Sequence, residues 1–182
     1  MPVAETNLDD AGATRIDILG DWLAAGEGGI WLSADAAVYR LDPDSGRRTA
    51  TIPVRQGPCE ASDVGFGAVW TATCKVPGLA KIDPSTNRVV GHVRLAVLEA
   101  LDGEGSIGAR ERGVWIVTDG RGCTGCRLAR VDPGTMKVAA SVDVQEGSAT
   151  VRTGEGVVWV ANPDKDVVQQ VDPATETVVR TV

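Results

Sequence analysis

Four segments of the chain repeat one another in phase. They are Gly29-Ile-Trp-Leu-Ser33, Ala68-Val-Trp-Thr-Ala72, Gly113-Val-Trp-Ile-Val117 and Val157-Val-Trp-Val-Ala161. Each is followed by an apolar residue and an Asp-Pro pair, at Asp42-Pro43, Asp83-Pro84, Asp132-Pro133 and Asp172-Pro173. A Ser or Thr stands two residues beyond each Pro, at Ser45, Thr86, Thr135 and Thr175, and a Val- or Ile-rich run follows. A two-part signature recurring at a fixed period is the mark of a repeat architecture. Composition gives the same reading, because five of the seven aromatic residues are Trp and four of them mark the repeat.

Each unit of roughly 40–45 residues reads as four short strands. In the second unit the expected strands are 59–64, 68–73, 79–82 and 88–95. Gly65-Phe66-Gly67 makes a hairpin and 83–87 makes a Pro-led turn. The runs are β-branched, short and broken by Gly and Pro, so helices are disfavoured. A lone four-stranded sheet cannot cover both its faces, but sheets stacked about an axis cover one another, as in a β-propeller. The expected fold class is therefore all-β: a β-propeller with four four-stranded blades, preceded by an orphan N-terminal strand. The expected organisation is a polar tail over 1–13 and repeats over 14–182. Within the repeats, 14–19 is an outer strand, and the blades span 20–56, 57–100, 101–145 and 146–182. Since the fourth unit already has its own outer strand, two readings stay open. The chain is a section of a larger propeller, or it is a closed four-bladed ring; an arc capped by self-association is a third arrangement.

The Gly-x-[Val/Ile]-Trp segment, the [Val/Ile/Leu]-Asp-Pro-x-[Ser/Thr] turn and the Val-rich strand together resemble the YVTN-type and virginiamycin B lyase-like (streptogramin lyase-like) bacterial β-propeller repeats. The resemblance covers about residues 14–182. It implies the fold strongly and the function weakly. The lyase relatives imply His and Glu with a divalent metal on one face of the ring. This chain has one His, His92, within an outer strand, so the lyase chemistry does not carry over to its residues.

The four repeat Trp are expected to pack between blades. The four Asp are expected to cap their turns rather than to bind metal. Cys59 and Cys74 lie opposite each other if the hairpin centred on Phe66 and Gly67 stays in register, a placement that accepts a disulfide. Cys123 and Cys126 form a Cys-Thr-Gly-Cys segment in the long loop 119–127. A local disulfide is the first reading, an all-thiolate zinc site joining all four cysteines the sharper alternative, and a thioredoxin-like redox role the remotest. Disulfides imply an oxidising compartment, so an extracytoplasmic or secreted location is expected. No basic and apolar leader is visible in 1–10, so a cytoplasmic location stays open.

Net charge is -7. An acidic chain has no general attraction for phosphate backbones or anionic lipid, so nucleic acid is excluded as an expected partner. No apolar run is long enough for a membrane helix, and no membrane insertion is expected. No catalytic constellation, no metal site and no cofactor are expected. What remains is a face built by the connections between second and third strands and between consecutive blades. Its candidate contact residues are Asp35, Lys75, Asp119, Arg121, Asn162, Asp164 and Lys165. The expected function is a non-catalytic binding or scaffold domain that presents this face to a protein, peptide or carbohydrate, with self-association or further blades from a larger chain as additional partners. The alternative is a section of a lyase-like metal-dependent enzyme whose catalytic residues lie outside this chain.

Overall fold

The computed structural model describes residues 16, 18–20, 22–34, 36–95, 106–118 and 125–182, with only the backbone of Glu60. The described residues form sixteen strands in four antiparallel sheets, each ordered as in the sequence. Blade 1 holds β1 (Trp22–Gly26), β2 (Gly29–Ala34), β3 (Ala37–Leu41) and β4 (Arg48–Pro53). Blade 2 holds β5 (Pro58–Gly65), β6 (Ala68–Thr73), β7 (Gly78–Asp83) and β8 (Arg88–Arg94). Blade 3 holds β9 (Ile107–Arg110), β10 (Gly113–Thr118), β11 (Arg127–Asp132) and β12 (Lys137–Asp143). Blade 4 holds β13 (Thr150–Gly154), β14 (Val157–Asn162), β15 (Val167–Asp172) and β16 (Thr177–Thr181).

Two local devices recur in every blade. The first hairpin turns on two residues with positive φ: Glu27-Gly28, Phe66-Gly67, Glu111-Arg112 and Glu155-Gly156. That geometry matches the right-handed twist of the flanking strands. Only the third unit has a side chain, Arg112 at φ 72°, where the others have Gly. The second device is the Asp-Pro turn. Its Asp carboxylate accepts from the hydroxyl of Ser45, from Ser85 and Thr86, from Thr135 and from Thr175. The fifth residue of each turn (Gly46, Asn87, Met136, Glu176) is left-handed and returns its N–H to the Asp carbonyl. The register of each third and fourth strand pair then slips by one residue next to the turn, the bulge such a turn imposes.

The hydrophobic core lies between the blades. Trp31, Val38, Ile52 and Val54 of blade 1 pack on Val64, Val69, Ala80 and Ile82 of blade 2. Trp70, Leu79, Val93 and Leu95 meet Ile107, Val114, Ile116 and Val131 of blade 3. Trp115, Leu128, Val142 and Val144 meet Val151, Val158, Val160 and Val171 of blade 4. Among the described residues no buried cluster joins blade 4 to blade 1, so the blades form an open arc. Of the two readings left open by the sequence, the arrangement fits a section of a larger propeller and not a closed four-bladed ring. For the same reason Trp159 departs from its three counterparts. They are fully buried, whereas Trp159 is 37% exposed because no blade covers its face.

The expected outer strand 14–19 also needs correction. Its described residues Ile16, Ile18 and Leu19 are in no strand. An outer strand needs the free edge of a third strand, and β3 and β15 are already paired to β4 and β16. Ile16 instead rests on Gly46 and Gly20 on Leu32, so the segment crosses the outward face of blade 1.

Candidate functional site

The candidate face begins with the loop after β6. Backbone bonds run from Cys74 N–H to the Gly57 carbonyl (2.9 Å) and from Val76 N–H to the Gln56 carbonyl (3.0 Å). They draw the loop 74–77 against the connection that enters blade 2. The Thr73 hydroxyl donates to the Val76 carbonyl at 2.7 Å. With that proton committed, the His92 Nε2–H, 2.9 Å away, donates to Thr73 Oγ1. Burial holds the His92 ring below its ordinary pKa, so the neutral form is favoured.

A disulfide joins Cys59 to Cys74, with their Cα atoms 5.9 Å apart. The pairing matches the expectation, but the reason for it differs. The ladder does not stay in register: Ser62 faces Thr71, yet Pro58 faces Thr73, so residues 59–61 stand opposite Ala72 alone. This bulge moves Cys59 two positions out of line with Cys74, and the bond closes across the bulge instead of between facing residues. Cys126 is also held in a disulfide, and Cys123 lies outside the described residues. Bonded sulfurs cannot form the all-thiolate zinc site. Among the described residues no cluster of three His, Cys, Asp or Glu side chains is placed to hold a metal.

The face therefore divides. Lys75 is exposed on the stapled loop, and Asp164 and Lys165 are exposed on the turn after β14. Asn162 is buried, donating from Nδ2 to the Glu146 carbonyl (2.6 Å) and accepting the Lys165 N–H on Oδ1 (3.2 Å). It ties the turn to the connection entering blade 4, and its burial keeps it from a partner. Asp35, Asp119 and Arg121 lie outside the described residues.

Two features escaped the sequence reading. The innermost strands of all four blades line an axial cavity of about 370 Å³, into which Trp22, Arg110 and Arg152 open. Asp63 there accepts the Ala109 N–H at 2.7 Å and so ties blade 2 to blade 3. The second feature is a clasp between blades. Arg40, Lys81 and Arg130 stand opposite Trp31, Trp70 and Trp115 and lie over their rings, at 4.9, 5.4 and 5.8 Å from the centroids. Each then reaches the Asp-Pro turn of the following blade. Arg40 donates to the Pro84 carbonyl (2.8 Å), Lys81 to the Pro133 carbonyl (2.7 Å) and Arg130 to the Glu176 carboxylate (2.5 Å). A cation two residues before each of the first three Asp-Pro pairs was the signal that could have found it.

No protein-family model matches the chain, and no curated protein matches it. Solved structures do. The Kuenenia stuttgartiensis hydrazine synthase superposes with a TM-score of 0.71 at 15% identity, over 92% of this chain and 50% of that one. The Neurospora crassa Pan2 WD40 domain gives 0.65 at 10%, over 90% and 48%. BamB from Moraxella catarrhalis gives 0.63 at 14%, over 91% and 49%. The chain thus spans about half the length of these structures. At such identities the likeness shows the fold alone, and it is a β-propeller fold.

Proposed function

We propose that this propeller section is a non-catalytic binding or scaffold domain that presents the face carrying Lys75, Asp164 and Lys165 to a protein, peptide or carbohydrate partner. The disulfide between Cys59 and Cys74 carries the reading. Its cysteines have no counterparts in the other units: the equivalent positions hold Gly20 and Asp35, Glu104 and Asp119, Ser148 and Pro163. The staple is therefore an addition to the blade and holds one loop of the face in a fixed shape. Loops fixed on a rigid scaffold are where recognition concentrates, since preorganisation lowers the entropy lost on binding. By their place in the sequence, Asp35, Asp119 and Arg121 are assigned to the same proposed face.

The disulfides fit an extracytoplasmic setting. The resemblance to the YVTN and virginiamycin B lyase-like repeats is part of this reading and rests on the repeat residues alone. The matched folds include an enzyme and a WD40 domain by name, and a shared fold does not choose between such functions.

The experiment is site-specific photo-cross-linking in the extracytoplasmic fraction of a native host. Photoreactive residues are placed at Lys75 and Lys165, with a control at Phe66, which is exposed in the first hairpin of blade 2. Adducts at the first two positions and none at the third support the face. Equal labelling at all three, or labelling at Phe66 alone, contradicts it.

A further inference from the structure

We propose that a second copy of this chain docks head to tail on the first, blade 4 of each on blade 1 of the other, closing a ring of eight blades. The polar links between blades 3 and 4 have a matching set waiting on blades 4 and 1. In the existing interface Ser106 exchanges hydrogen bonds with the Val151 backbone, and Glu111 accepts the Gly156 N–H at 3.2 Å. Counted from the repeat Trp, Thr150 is the counterpart of Ser106, and Leu23 that of Val151. Glu155 likewise corresponds to Glu111, and Gly28 to Gly156. Gln170 stands opposite Trp159 where Arg40, Lys81 and Arg130 stand opposite their Trp, and its amide can donate to the Pro43 carbonyl as those cations donate to Pro84 and Pro133. The apolar surfaces also correspond. Trp159 is bare on one side, and Leu23, 60% exposed, is bare on the other, where its counterpart Val151 is fully buried. The four blades span about half the length of the propeller-containing chains matched above, a share that two four-bladed arcs together would fill.

The N-terminal segment competes for the same surface. Ile16 and Ile18 repeat the spacing of Ile52 and Val54, Val93 and Leu95, and Val142 and Val144, which pack from each blade onto the next. Ile16 rests on Gly46, the counterpart of Asn87, which lines one cleft with Ile52. The blade 4 residue ten positions after its Asp, as Ile52 is in blade 1, is Val182, 57% exposed. Val182 of the arriving copy takes the place of Ile16, so Ile16 must yield as the copies join.

The test is sedimentation velocity of the 182-residue chain over a concentration series reaching tens of micromolar. The expected result is a reversible species of twice the monomer mass. Trp159→Arg and Leu23→Glu alter exposed side chains, and circular dichroism checks that both variants fold. Each variant alone is monomeric, and mixing the two restores a dimer through the one intact interface between the Trp159 of one copy and the Leu23 of the other. Removing residues 1–16 tightens the wild-type dimer by about tenfold or more. A wild-type monomer throughout the range overturns the proposal. So does a dimer that Leu23→Glu leaves intact, which would be blade 4 on blade 4, and so does an open series of higher oligomers. A truncated chain that dimerises no better overturns the role given to the N-terminal segment.

Discussion

The Lys81 ammonium lies over the indole of Trp70 and donates to the carbonyl of Pro133 at 2.7 Å, so one side chain covers its own blade's Trp and grips the turn of the next. Arg40 and Arg130 repeat the arrangement. Lys81→Ala removes both contacts and strips cover from a buried ring. The expected loss is about 1–2 kcal/mol of unfolding free energy. Lys81→Met keeps the stem over the ring and recovers part of it, as urea unfolding of the two variants would show.

The interblade Trp residues differ in how much is stacked on them. Trp115→Ala opens a cavity in a closed interface and should cost about 3–5 kcal/mol. Trp159→Ala removes a ring that is partly in solvent, so its cost in the isolated chain is well below that. Paired denaturant melts at low protein concentration compare the two.

Arg112 adopts φ 72° at a hairpin position that is Gly in the other three units. A side chain there is strained, and its removal outweighs the added freedom of the unfolded chain. Arg112→Gly should stabilise the protein by about 0.5–1 kcal/mol, read from the thermal midpoint.

Acid sensitivity follows from two sets of groups. Hydrogen bonds from turn hydroxyls and backbone N–H groups hold Asp42, Asp83, Asp132 and Asp172 below the ordinary carboxylate pKa. Their contribution is full above the unfolded value, about pH 4, and is lost as pH falls through the lowered folded values. Burial lowers the His92 pKa. Its neutral form is favoured in the folded state, so stability declines as pH falls below about 6.5 until the folded ring protonates as well. His92→Gln should remove the upper limb of the pH–stability curve, and Asp83→Ala should flatten the lower one.

The blade was legible because its signals are local. The Trp spacing, the Asp-Pro turns and the β-branched runs each act within one unit, and β6 falls on the expected residues 68–73. The disulfide partners were legible from hairpin symmetry, but the bulge at 59–61 was not, because nothing in Cys-Glu-Ala marks a register slip. The fate of 14–19 depended on whether a free strand edge existed nearby, a tertiary fact. The exposure of Trp159 was hidden for the same reason: its sequence neighbours match those of Trp115, and only the missing neighbour blade separates them. On the candidate face, charge drew notice to Lys75, Asp164 and Lys165. Asn162 looked equivalent, since sequence does not show that its amide is buried and bridges its turn to the connection at Glu146.

The central claim is an open arc whose fourth blade leaves its Trp uncovered. Acrylamide quenching of Trp fluorescence at nanomolar protein, where copies stay apart, tests it most directly. The account predicts that Trp159→Phe removes a large share of the quenchable emission and that Trp115→Phe removes little. Equal, small effects from both variants would mean that Trp159 is covered within one chain as Trp115 is, and the open arc would be wrong.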